Sequence, residues 1–377
     1  MKILATTTRV QSLIAEIRMI MPLTALTARR GWTLRAEPFH LCSTRDLAWA
    51  DVLVMQRGTS SRHLRLAQRM LHLGGAVIYE IDDLLTDPAD HLLHHAQLRR
   101  SARWVERCIA VADIVTASTH RLAQALSPHA RETLVVPNYA FPGFEAPPAP
   151  ADPAAPCTVL LASSDRVAAL PLIDALRDLQ SEYNQRLRLV VVGIAAASLA
   201  DTGLAYETHP LMPRADFVAF ARGLPNVVAT IPLDDSRFSA CKSAIKWFDY
   251  AVAGVPTLCS SVAPYTDVIE DGITGALVMN SREDWTAALR RAIDDSAWRA
   301  RIAHAAAATV HERFSFELTI QAWGQALATA QNLRRARGAV QLTLGWRLGE
   351  LLLSPFDALF IAARRANRRR LDRRHSQ

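Results

Sequence analysis

The stretch IPLDDSRFSACKSAIKWFDYAVAGVPTLCSSVAPYTDVIEDGITGALV, residues 231–278, sets a strand end, a helix, a glycine stop and a second strand in quick succession. A helix over Cys241–Ala253 places Lys242, Lys246, Asp249 and Tyr250 near one face, because their spacings approximate one and two helical turns. Such a lysine pair can hold phosphate oxygens, and Asp249 can accept hydrogen bonds from a ribose; a solvated helix face and a structural carboxylate fit the same spacing. Gly254 suits the left-handed end of that helix, and Pro256 restrains the entry into the next strand. Ser260 and Ser261 fall at the strand exit, where they either meet a ligand or close a turn, with Asp267 and Glu270 beyond. A positive, oriented lining of this kind is what a departing diphosphate needs, since negative charge grows on it as a bond to it breaks.

The pattern repeats on either side. Upstream, Lys2–Thr6, Thr33–Glu37, Asp51–Met55, Ala76–Ile81 and Asp113–Ala117 read as strands. Helical stretches at Leu13–Arg30, His63–Leu73, Leu98–Ala110 and from His120 separate them. This βα rhythm predicts a layered α/β domain over 1–140. Repeated prolines in PGFEAPPAPADPAAPC oppose continuous helix or sheet bonding and place a linker at 141–156. Strands at Thr158–Ala162, Leu187–Val192, Val227–Ile231 and Pro256–Cys259, with helices at Leu170–Glu182 and Ala244–Ala253, predict a second doubly wound domain over 157–312. Ligand groups usually converge where such strands open into loops.

Half of the 377 residues are hydrophobic, enough for two cores. The formal charge of +7 comes from the end of the chain, where residues 333–377 hold 11 arginines against Glu350, Asp357 and Asp372. Five scattered cysteines without a CxxC pair argue against a structural zinc module and a disulfide framework, and predict a reducing cytoplasm. The first residues lack a clear secretory core, and Val190–Ala200 is too short to span a bilayer. Nothing matches GxxxxGK[ST], HExxH, GxSxG or a good dinucleotide GxGxxG.

KSAIKWFDYAVAGVPTLCSS followed by APYTDVIEDGITGALV resembles the donor-site region of GT-B glycosyltransferases of the family-4, group-1 type, supported by ADIVTASTHRLAQAL at 112–126 and VVPN at 135–138. The resemblance implies two Rossmann-like domains, an activated sugar held mainly by the second, transfer with retention, and no essential divalent ion. It gives Asp249 the ribose-contacting acidic position and puts Cys241 where the first acid, usually glutamate, stands. Arg166 resembles the basic residue that follows the first strand of the donor domain, and 313–332 corresponds to a helix returning to the first domain.

The expected roles are therefore phosphate stabilisation by Arg166, Lys242 and Lys246, ribose contact by Asp249, and phosphate or sugar contacts at Ser260 and Ser261. The donor substrate is a nucleoside-diphosphate sugar, with no cofactor, and the acceptor a saccharide or lipid-linked saccharide in surface-glycan synthesis. The alternative is an inactive sugar-nucleotide-binding or glycan-assembly protein. Asp82 and Asp83 either meet an acceptor hydroxyl or organise their loop, and His120 either approaches the acceptor or caps its helix. His91, His94 and His95 lack a ligand set, so no metal is expected. Apolar stripes at Ala339–Leu353 and Phe356–Ala363, running into ARRANRRRLDRR, make 339–374 an amphipathic basic extension suited to an anionic membrane surface. A cytoplasmic protein, peripheral on the inner face of a bacterial membrane, is the expectation. No recognition-helix or aromatic-basic platform points to nucleic acid.

Overall fold

The computed structural model describes residues 1–90, 92, 95–143, 155–162, 169–193 and 199–337. The chain divides into two units, one of Met1–Asp87, Ala96–Val136 and Ile320–Gln377, the other of Pro88–His95 and Pro137–Thr319. The division thus falls after Val136, before the proline-rich stretch, and the chain re-enters the first unit at Ile320. The expected amphipathic segment 339–374 lies outside the described residues.

The first unit runs β1 (Lys2–Thr7), α1 (Leu13–Ala15), α2 (Met21–Arg30), β2 (Thr33–Pro38), α3 (Thr44–Trp49), β3 (Val52–Gln56), α4 (Ser61–His72), β4 (Ala76–Ile81), α5 (His95–Val111), β5 (Ile114–Ala117), α6 (His120–Leu126) and β6 (Thr133–Val135). All strands are parallel, in the order β2-β1-β3-β4-β5-β6. Helices cover parallel sheets on both faces, which is why β3 and β4 are buried along their whole length and read as apolar runs. Gly31, at φ 64°, closes α2 in the left-handed region.

The helix expected over Leu13–Arg30 is broken by a π-turn at Glu16–Ile20. Pro22 is the cause: it has no N–H to offer, and its ring would strike the carbonyl four residues earlier, that of Arg18. The Arg18 carbonyl instead accepts the Trp323 indole N–H at 2.9 Å. The Arg18 side chain donates to Glu80 at 2.8 Å and to the Val136 carbonyl at 2.7 Å, and Gln56 bonds Glu80 at 2.8 Å. One buried polar network therefore joins the π-turn, β3, β4 and the residue after β6.

The second unit runs β7 (Cys157–Ala162), α7 (Leu170–Tyr183), β8 (Leu187–Val192), β9 (Glu207–His209), α8 (Arg214–Gly223), β10 (Val227–Ile231), α9 (Arg237–Ala240), α10 (Ile245–Val252), β11 (Thr257–Ser260), β12 (Ala276–Val278), α11 (Arg282–Asp294) and α12 (Ser296–Arg313). Its parallel order is β12-β11-β10-β7-β8-β9. One apolar layer gathers α7, α11 and Trp298 against the sheet; the other gathers α8, α10 and the end of α12. The last helix, α13 (Phe316–Arg337), begins in this unit and continues in the first.

The helix expected over Cys241–Ala253 is corrected to Ile245–Val252, with the short α9 ending at Ala240, before that range. Side chains draw the backbone aside: Asp234 accepts from the Ser236 N–H at 2.8 Å and the Ser239 hydroxyl at 2.7 Å, Ser236 caps α9, and Asn138 donates to Ser243 at 2.5 Å. Lys242 consequently sits in the turn between α9 and α10 and does not share a helical face with Lys246.

Candidate functional site

In the second sheet, β7 lies beside β10, with β8 and β9 on one side and β11 and β12 on the other. Strand order reverses there, so the loops leaving β7 and β10 diverge, and ligands of open α/β sheets usually bind outside the C-terminal ends of strands at such a point. Lys246, in the first turn of α10, sends its ammonium across this point and donates to the carbonyl of Ala162, the last residue of β7, at 2.9 Å. Arg166, four positions past the end of β7 in sequence, lies outside the described residues. Lys242 rests its ammonium 5.1 Å from the Phe238 ring centroid, a cation–π contact, on the turn that follows β10 and α9.

Asp249 is buried, and both its carboxylate oxygens accept from Arg214 of α8, through Nε at 2.8 and 3.1 Å and through a terminal nitrogen at 2.5 Å. That guanidinium also donates to the Tyr139 carbonyl at 2.6 Å and lies over the Tyr139 and Phe141 rings. Burial pushes the Asp249 carboxyl upward while Arg214 pulls it back down. At the position expected to contact a ribose, Asp249 makes a buried, forked ion pair that ties α10 to α8.

The Ser260 side chain is fully buried, donating to Asn280 at 2.6 Å and accepting from the Leu233 N–H at 2.8 Å, so the hydroxyl secures the loop after β10. Ser261 is half-buried, and its backbone N–H goes to the Val278 carbonyl at 2.7 Å. Asp267 and Glu270 are exposed beyond it. Gly254 has φ 71°, as a residue ending α10 in the left-handed region requires. Cys241 is buried at the end of α9, where its thiol can supply no carboxylate. Arg214 and Asn138 are the residues that sequence reasoning missed. VVPN drew notice only as support for the family resemblance, and Arg214 opens an unremarked helix; the Pro213 before it was the available signal.

In the first unit, Asp82 and Asp83 leave β4 and face Arg57, which leaves β3; the guanidinium bonds each carboxylate at 2.5 Å. Burial works against the Arg57 charge, but the two carboxylates outweigh it and raise its pKa. Arg57 adopts φ 48°, unusual for a side-chain-bearing residue. The next turn is closed by His63, whose Nδ1 accepts the Thr59 N–H at 3.2 Å and lies 2.8 Å from the Ser60 hydroxyl. Burial, with Arg62 nearby, pushes His63 down to about 4. His120 opens α6 after the Thr119 cap and lines a 480 Å³ cavity with Gln124, Ser127, Thr133 and Gln325. His91 and His94 lie outside the described residues, among which no group of three metal-ligating side chains comes together and no helix is long and apolar enough to cross a membrane.

No protein-family profile and no curated protein matches the sequence. Solved structures do match. Anabaena Alr3699/HepE in complex with UDP-glucose aligns with a TM-score of 0.64 at 13% identity, over 87% of this chain and 99% of that one. Sucrose-phosphate synthase from Thermosynechococcus elongatus aligns with a TM-score of 0.62 at 12% identity, over 87% and 98%. S. aureus MnaA with UDP aligns with a TM-score of 0.55 at 14% identity, over 88% and 97%. Two Rossmann-like units, each built on a six-stranded parallel sheet and followed by a long C-terminal helix, give this chain the GT-B fold.

Proposed function

We propose that the chain is a glycosyltransferase of the family-4, group-1 kind that holds a nucleoside-diphosphate sugar at the β7–β10 crevice and passes the sugar, with retention, to a hydroxyl of a saccharide or lipid-linked saccharide in surface-glycan synthesis. The observation that carries the reading is Lys246, whose ammonium stands where the strand order reverses. Lys246 and Lys242 stabilise the diphosphate as charge grows on it, joined by Arg166, four positions past the end of β7 in sequence, while the Ser261 hydroxyl contacts the donor. Asp249 acts on the ribose side through Arg214, by fixing α10 against α8. The sugar centre passes through an oxocarbenium-like state, and exclusion of water protects the donor from hydrolysis. HepE bound to UDP-glucose and MnaA bound to UDP support a nucleotide-sugar ligand in this fold. In this reading the enzyme works on the cytoplasmic face of a membrane, with the basic stretch 339–374 meeting anionic lipid.

Burial of Cys241 favours the second reading, a sugar-nucleotide-binding protein without turnover. Nucleoside diphosphates screened by thermal shift, followed by the best hit as its sugar conjugate with membrane-extracted acceptors, separate the two. Transfer requires a raised unfolding midpoint and a donor-dependent glycan product. Saturable binding with no product selects the second reading, and no binding to any nucleoside diphosphate removes both.

A further inference from the structure

Strands β3, β4 and β5 are consecutive neighbours in the first sheet, so right-handed crossovers put their connecting helices, α4 and α5, on the same face. Together these helices carry seven arginines (Arg62, Arg65, Arg69, Arg99, Arg100, Arg103, Arg107) against one acid, Glu106. All seven are exposed. They follow helical spacing: Arg99, Arg103 and Arg107 are four apart, as are Arg65 and Arg69, so each helix shows a cationic stripe opposite the residues it buries, Val105, Cys108 and Ile109 on α5 and His63, Ala67 and Met70 on α4.

Among the described residues, Arg65, Arg99, Arg100, Arg103 and Arg107 have no carboxylate partner, whereas in the second unit Arg177 pairs with Asp174, Arg188 with Glu207, Arg282 with Asp178 and Arg290 with Glu182. An aromatic ring completes the stripe: half-exposed Trp104 lies between the guanidinium groups of Arg103 and Arg107, 5.1 and 5.2 Å from its ring.

We infer that this face of the first unit is a docking surface for an anionic phospholipid bilayer. A helix lying flat presents all of its stripe at once to a planar array of phosphates, and each arginine within about 8 Å, the Debye length at physiological salt, contributes. Indole is the side chain that settles at headgroup depth, with an apolar body and a polar N–H. Arginine also reads base edges in a duplex, so the assignment to a bilayer rests on the indole of Trp104 within the stripe, the side chain suited to headgroup depth. This surface is distinct in sequence from the basic stretch after Arg337 and does not depend on the donor chemistry proposed above.

The test is cosedimentation of the full-length chain with phosphatidylcholine vesicles with and without phosphatidylglycerol. The wild type is expected to bind only the anionic vesicles and to release in high salt. R99E/R103E/R107E should bind at least about a hundredfold more weakly, since each charge near the surface is worth about fivefold, while R99K/R103K/R107K keeps most of the binding. Trp104→Phe should lose fluorescence quenching by brominated lipid. Thermal midpoint and nucleoside-diphosphate affinity should be those of the wild type in all three variants. Unchanged vesicle binding by the triple glutamate variant, or loss only on replacing Arg368, Arg369 and Arg370, overturns the inference. Wild-type indifference to anionic vesicles, with tight binding of duplex DNA that the glutamate variant loses, overturns it in favour of nucleic acid.

Discussion

Lys246 and Asp249 stand three positions apart on α10 and do opposite work. Lys246→Met keeps the aliphatic stem and removes the ammonium, so nucleoside-diphosphate affinity should fall by about tenfold, the value of one charge-assisted bond, with the unfolding midpoint little changed; titration calorimetry reads the first and a thermal melt the second. Asp249→Asn strands a buried guanidinium and should cost about 3–5 kcal/mol of stability in denaturant unfolding. A ribose ligand alone would shift affinity and leave stability intact. His63 adds a pH dependence. Its folded value near 4 lies below the ordinary 6.5, so the unfolded chain binds the proton first. Stability from this group is whole above pH 6.5 and is lost as the pH falls toward 4, by as much as about 3 kcal/mol. His63→Asn keeps an acceptor for the Thr59 N–H and should flatten that slope. At this scale helical spacing drew attention to Lys246 but not to the Ala162 carbonyl it meets, 84 positions away. The contacts of Ser260 were illegible because Asn280 and Leu233, which occupy its hydroxyl, are 20 and 27 positions away and nothing local announces them.

The elements readable from sequence were those with a strong period or an unbroken apolar run: β4, β8 and β10 have the predicted bounds because both faces are buried. The three-residue strands β9 and β12 are too short to carry a period, and they exist because a neighbouring strand offers them bonds. One helix read as continuous, Leu13–Arg30, is interrupted through Pro22, and another, read from Cys241, begins only at Ile245, after the turn that the Asp234–Ser236–Ser239 bonds set up. The π-turn permits a clean test. Trp323→Phe deprives the Arg18 carbonyl of its donor and should destabilise by about 1–3 kcal/mol. Pro22→Ala restores a backbone N–H four residues beyond Arg18, so the double variant should lose less than the sum of the singles in a double-mutant cycle.

For the molecule as a whole, the two sheets reverse their order at different places, between β1 and β3 in one and between β7 and β10 in the other. Arg57 leaves β3 at the first reversal and Lys246 reaches β7 at the second, so each unit brings its polar side chains to the strand ends that the topology opens. Alternating βα signals sufficed for the fold class, whereas the polar contacts at each reversal join residues far apart in sequence and had to be seen. Trp323 and Arg18 meet across 305 positions, which sets an order on folding during synthesis. During synthesis, the first sheet leaves the ribosome with Arg18's carbonyl unmet and the face it shares with α13 bare. It must wait, exposed to chaperones and proteases, until the entire second unit has emerged and the final helix arrives to finish what the N-terminus began.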